Sequence, residues 1–127
     1  MDEQLNMSKQ ILIVDDSESI REVLAYSLEN AGYQVLVACD GMDALKYFDG
    51  RTIDLLLTDY HMPNLNGLEL VVKVRQTENY KYIPILVLTT ENQIEMIREA
   101  RDSGATGWLL KPFNTEKLLR TLRKVIR

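Results

Sequence analysis

The sequence predicts an α/β domain, doubly wound, with a five-stranded parallel sheet and five helices. Short apolar runs alternate with longer segments of helical period from Ile11 to the C-terminus, with no low-complexity stretch and no Ser/Gly linker. The runs are nearly all apolar, as strands covered on both faces must be. Helical segments separate the successive runs, which implies right-handed crossovers, parallel strands and helices on both faces of the sheet.

The first strand is expected over Gln10–Val14. Ile20, Val23, Leu24, Ser27 and Leu28 then follow the i, i+3, i+4, i+7, i+8 stripe of a helix, with Ser17 as its cap and Gly32 as its stop. The second strand is expected over Gln34–Ala38, followed by a helix marked by Ala44, Leu45 and Phe48 and ending at Gly50. The third covers residues 53–58, before a helix with Leu68, Val71 and Val74 on its inner face. The fourth, Ile85–Thr89, leads to a helix carrying Ile94, Ile97 and Ala100 and ending near Gly104. The fifth, Gly107–Leu110, precedes a last helix striped by Leu118, Leu122, Val125 and Ile126.

The chain has 127 residues, 46% hydrophobic and 27% charged, enough for one domain that buries its own core without metal or disulfide staples. Its single cysteine, Cys39, excludes an internal disulfide framework, and Met1-Asp2-Glu3 does not open a signal segment, so a cytoplasmic location is expected. The longest apolar runs, such as residues 11–14 and 85–88, fall far short of the roughly 20 residues that cross a bilayer. No membrane association is expected.

The net charge of −4, from 15 Lys+Arg against 19 Asp+Glu, argues against a nucleic-acid binder held by phosphate contacts. The charge is uneven. Residues 111–127 hold six basic side chains and one acidic, whereas residues 1–110 hold nine basic and eighteen acidic. Lys117, Arg120, Arg123, Lys124 and Arg127 form either the solvated, dipole-complementing end of the last helix or a docking surface.

In a parallel sheet every strand ends at one edge, and sites form outside those carboxyl ends. The first strand is followed there by Asp15-Asp16, the third by Asp59, the fourth by Thr89-Thr90 and the fifth by Lys111-Pro112. Singly, each is ordinary: aspartate often ends strands, threonine is a good strand residue, and Lys-Pro suits any loop. Converging carboxylates raise one another's pKa unless a cation lies among them, so the group reads as a site for a hard divalent ion. Mg²⁺ fits best, with Mn²⁺ able to take its place, since the lone His61 and lone Cys39 cannot build a zinc site. A lysine and a hydroxyl at the same edge add the charge and hydrogen bond that a phosphoryl group needs.

These residues resemble the receiver domain of two-component response regulators, most closely the stand-alone CheY-like kind. The matching pieces are Ile-Leu-Ile-Val-Asp15-Asp16-Ser, Asp59-Tyr-His-Met62-Pro63-Asn-Leu-Asn-Gly67, Leu-Thr89-Thr-Glu91 and Gly-Trp108-Leu-Leu-Lys111-Pro112-Phe113. The resemblance implies a receiver over residues 9–127 behind an N-terminal extension of residues 1–8. It implies the flavodoxin-like strand order 2-1-3-4-5, with phosphoryl groups drawn from a histidine kinase's phosphohistidine. Carried over by position, Asp59 resembles the phosphoacceptor, Asp16 the direct Mg²⁺ ligand, Asp15 a ligand largely through water, and the His61 backbone carbonyl a further ligand. Thr89 resembles the hydroxyl that turns toward the phosphoryl group and Lys111 its cation, while Lys111-Pro112 is expected to be cis. The family's lifetime controls correspond to His61 and Glu91, expected at the pocket mouth, where they would hinder the hydrolytic water. Its switch pairs Thr89 with a ring on the fifth strand, here Trp108, where the family more often carries Tyr or Phe and an indole needs more room.

The leading expectation is a monomeric, diffusible signalling module rather than an enzyme, with no output domain, that promotes its own phosphorylation and slow dephosphorylation. Its phosphorylated form would present the fourth helix, fifth strand and fifth helix to a target such as a flagellar motor switch protein. A phosphorelay carrier that passes phosphoryl to a histidine phosphotransfer protein is the alternative. A small Mg²⁺-dependent phosphohydrolase is remote, since Asp-x-Asp after the first strand and a cap insertion are lacking. No Gly-x-Gly-x-x-Gly or Walker sequence supports a nucleotide or flavin site.

Overall fold

The computed structural model describes residues 9–90 and 94–126. Five strands alternate there with five helices: β1 (Gln10–Val14), α1 (Glu18–Asn30), β2 (Gln34–Ala38), α2 (Gly41–Leu45), β3 (Leu55–Asp59), α3 (Gly67–Arg75), β4 (Ile85–Thr89), α4 (Ile94–Ser103), β5 (Gly107–Leu110) and α5 (Thr115–Val125). The sheet is parallel throughout, in the order β2-β1-β3-β4-β5. The expected doubly wound fold and strand order are both present. Residues 1–8 and Glu91 lie outside the described residues.

Side chains alternate across each strand, and the alternation sorts the core into two layers. Ile11, Ile13, Leu55, Leu57, Leu86 and Leu88 pack with Leu24 and Leu28 of α1 and Leu118 and Leu122 of α5. Leu12, Val14, Leu56, Ile85 and Val87 pack with Ala44 of α2, Val71 and Val74 of α3 and Ala100 of α4. The three inner strands are therefore apolar on both faces, each large side chain contributing about 1.5–3 kcal/mol of burial. The edge strands β2 and β5 are partly exposed.

Caps set the helix starts. The Ser17 hydroxyl accepts from the Ile20 N–H, as the sequence predicts, and Asp40 and Asn114 cap α2 and α5 in the same way. Asn66 and Glu69 form a reciprocal capping box at α3. Arg75, at the other end of α3, donates to the carbonyls of Lys81, Ile83 and Gly104, tying that helix to the segments that enter β4 and β5. Among the described residues no helix is long and apolar enough to cross a membrane.

The structure departs from expectation at four boundaries. The third strand begins at Leu55 rather than at residue 53, because the Asp54 N–H and carboxylate are taken by the Gln10 backbone at the start of β1. It runs on to Asp59, which pairs with Leu88. The second helix stops at Leu45, short of Phe48 and Gly50, as Lys46, Tyr47 and Phe48 tighten into i→i−3 bonds. Tyr47 is held there by its hydroxyl on the Val37 carbonyl, and Phe48 by its ring edge-on to Tyr80. Ile126, placed on the last helical stripe by its spacing, is instead the extended C-cap of α5.

Candidate functional site

Because all five strands run the same way, β1, β3, β4 and β5 deliver Asp15, Asp59, Thr89 and Lys111 to one edge. Asp15 is fully buried, and Asp59 and Thr89 are nearly so. Asp16, the next residue out from β1, is exposed. One carboxylate oxygen from each of Asp15, Asp16 and Asp59 lies within 4.8 Å of the others. The Lys111 ammonium bridges two of them, 3.1 Å from Asp59 Oδ1 and 3.4 Å from Asp15 Oδ2.

Burial raises the Asp59 carboxyl above the ordinary carboxylate range, and the Asp15 charge raises it further, against the lowering pull of the Lys111 hydrogen bond. Asp15 is held on its other side by the Ser17 N–H, which donates to Oδ1 at 2.9 Å. This all-oxygen donor set, with an ammonium already drawn between two of its members, fits a hard divalent cation such as Mg²⁺. No cysteine or histidine belongs to the cluster among the described residues.

The loop after Asp59 is packed from behind. Met62 and Leu65 are buried. Gly67 sits so close that a β-carbon there would collide with the Asp59 carbonyl oxygen, and one at Gly41 would meet Leu65 at 2.8–2.9 Å. The Gly67 N–H donates to the Tyr60 carbonyl at 2.9 Å. His61 stands exposed on this loop, its ring edge-on to Tyr60 at 4.6 Å. The Lys111–Pro112 bond is cis, and the Lys111 N–H donates to the Thr89 carbonyl at 2.8 Å.

Trp108 pairs with Val87 in the sheet and is 39% exposed. Beneath it a cavity of only about 10 Å³ is lined by Tyr60, Val87, Thr89, Met96, Ile97 and Trp108 itself, with Ala100 at its wall. Thr89 and Trp108 thus border one space, with the first turn of α4 across from them. Two contributors are not among the expected site residues. The Asn66-x-x-Glu69 pattern is a legible capping-box signature, but Arg21, whose Nη1 donates to the Asp15 carbonyl at 2.6 Å, has no local signal.

The chain belongs to the response regulator receiver domain family, whose model matches residues 11–123. It is similar in structure to the chemotaxis protein CheY4 of Vibrio cholerae, with a TM-score of 0.90 and 46% identity over 93% of this chain and 98% of that one. It is 34% identical over 126 residues to the chemotaxis protein CheY-3 of V. cholerae, covering 98% of this chain and 97% of the relative. The receiver domain of the sensor histidine kinase PA1611 from Pseudomonas aeruginosa, solved with a magnesium ion in its active-site cleft, matches at a TM-score of 0.83 and 30% identity, over 92% of this chain and 96% of that one. Some relatives are far longer: the chain spans 16% of the CAI-1 autoinducer sensor kinase/phosphatase CqsS of V. cholerae, 40% identical over 112 residues that make up 87% of this chain. It is a receiver of the two-component signalling type.

Proposed function

We propose that Asp59 takes a phosphoryl group from the phosphohistidine of a histidine kinase, in a Mg²⁺-dependent reaction, and that the loaded form signals through a changed surface. The observation that carries this reading is the Lys111 ammonium between Asp15 and Asp59 at the carboxyl edge of the sheet. An Asp59 oxygen forms the new P–O bond as the P–N bond to the donor imidazole breaks. Lys111 keeps the attacking carboxylate ionised and then pairs with the phosphoryl oxygens. The Thr89 hydroxyl donates to the same oxygens, and Asp15, Asp16, Asp59 and the His61 carbonyl would hold the metal. Bound Mg²⁺ supplies the remaining charge neutralisation, without which a carboxylate cannot approach an anionic phosphorus.

The chain contributes positioning and charge rather than turnover, so it acts as a phosphoacceptor and not as an enzyme in the ordinary sense. His61, exposed on the loop after Asp59, and Glu91, two positions after Thr89 in sequence, set how fast water removes the group. Its output is a chemotaxis target such as a flagellar motor switch protein in the cytoplasm, engaged by α4, β5 and the basic α5. The near full-length match to CheY-3 supports that output. Likeness to receivers that are parts of sensor kinases favours a second reading, relay of the phosphoryl to a histidine phosphotransfer protein.

Intact-mass measurement after incubation with phosphoramidate and Mg²⁺ tests the acceptor. One phosphoryl is expected on the wild type and none on Asp59→Asn or in excess chelator. Lys111→Ala should slow the reaction about 10²-fold, the usual cost of one preorganised charge. Labelling that survives Asp59→Asn would overturn the assignment. Adding a histidine phosphotransfer protein to the loaded form separates the two outputs, since only a relay carrier passes its label on rapidly.

A further inference from the structure

We infer, on the footing of that metal-site reading, that Arg21 is a positioning residue for the cation-binding carboxylates, acting through the peptide plane that joins Asp15 to Asp16. From the first turn of α1 its guanidinium reaches back over the loop, and Nη1 donates to the Asp15 carbonyl oxygen at 2.6 Å. Every other polar group of Asp15 is engaged elsewhere. Its N–H donates to the Ala38 carbonyl at 3.2 Å, Oδ1 accepts from the Ser17 N–H, and Oδ2 faces Lys111. The carbonyl is the one direction that Arg21 governs. A peptide unit is planar, so fixing the Asp15 C=O fixes the Asp16 N–H and the point from which the Asp16 backbone departs. Asp15 is buried and held by its own contacts, but Asp16 is exposed, so the backbone that sets its Cα–Cβ bond sets which positions its carboxylate can reach.

The sign of the effect separates positioning from charge. A guanidinium near the site repels a dication, so removing it should tighten Mg²⁺ binding if charge were its only role. If Arg21 orients Asp16, removal must weaken binding despite the lost repulsion. Lysine keeps the charge and one donor, enough for the single hydrogen bond seen here.

The test is calorimetric titration of the full chain with Mg²⁺, without phosphodonor, alongside thermal melts. Arg21→Ala is expected to weaken Mg²⁺ about tenfold, the lower range for losing a group that orients metal ligands. Arg21→Lys should recover most of that loss. In the double variant with Asp16→Asn the two effects should not add, because Arg21 acts through Asp16. Arg21→Met, which keeps the stem and removes the donor, carries the test if the alanine variant fails to fold. Unchanged or tighter Mg²⁺ binding in Arg21→Ala or Arg21→Met, whatever the melting temperature does, overturns the inference. If instead the wild type binds no Mg²⁺, or Asp16→Asn does not weaken it, the metal-site reading itself fails and the inference falls with it.

Discussion

At the scale of single residues the site is a strained balance of charge. Asp59 is held above the ordinary carboxylate range by burial and by Asp15, so between the unfolded-chain value and its raised folded value the native state binds a proton that the unfolded chain releases. Stability from this group is therefore present below the ordinary carboxylate pKa and is lost as pH rises through the window, leaving a penalty at neutral pH. Asp59→Asn removes the penalty while Lys111 keeps its contact with Asp15. Urea unfolding without divalent metal should show the variant more stable than wild type at pH 7, with the gain disappearing toward acid pH; no gain at pH 7 would contradict the balance described. Gly67 offers a steric counterpart. Its backbone is ordinary, but a methyl group would strike the Asp59 carbonyl. Gly67→Ala should cost about 3 kcal/mol in urea unfolding, the upper range for an overpacked site.

At the scale of elements, the ends of β1 and β3 are each braced by the start of the following helix. The Ser17 N–H and Arg21 guanidinium at the head of α1 grip Asp15, and the Asn66–Glu69 box at the head of α3 closes the loop that leaves Asp59. Asn66→Ala should cost about 1 kcal/mol of stability by losing one cap. Because the freed turn adjoins Gly67 and the Tyr60 carbonyl it bonds, the same variant should also slow phosphoramidate labelling of Asp59. A stability loss with an unchanged labelling rate would show that the loop is held without the box.

At the scale of the molecule, the site meets α4 and β5 at the space under Trp108. Thr89 lines that space from β4, Met96 and Ile97 from α4, and at about 10 Å³ it is at the limit for a single water and far too small for an indole. An inward swing of Trp108 therefore requires α4 to move away from β4. Beryllofluoride with Mg²⁺, a mimic of the phosphoryl group, should change the emission and quenching of Trp108, the sole tryptophan. Emission that stays the same while the mimic binds would remove Trp108 from the switch. Such a movement would also carry Ile94, exposed on the first turn of α4, relative to Lys117, Arg120 and Lys124 on α5.

Much of this was written locally in the chain. Period-2 and period-3.6 patterns encode which face of each element is apolar, and a strand–helix alternation leaves few folds open, so the sheet class and the residues at its carboxyl edge could be read directly. Ser17 as a cap and the convergence of Asp15, Asp59, Thr89 and Lys111 needed no coordinates for the same reason. Packing decided the rest. Val23 and Ile94 satisfy helical stripes yet face solvent, because the neighbouring elements do not extend over them. The second helix ends early because Tyr47 and Phe48 find partners on β2 and at Tyr80. The contact of Lys111 with Asp15 joins residues 96 apart, and Arg21 turns to the Asp15 carbonyl where any number of solvent-facing rotamers would suit a helix equally well. Periodicity records burial along one element, whereas these choices depend on where other elements come to lie, which exists only once the chain has folded.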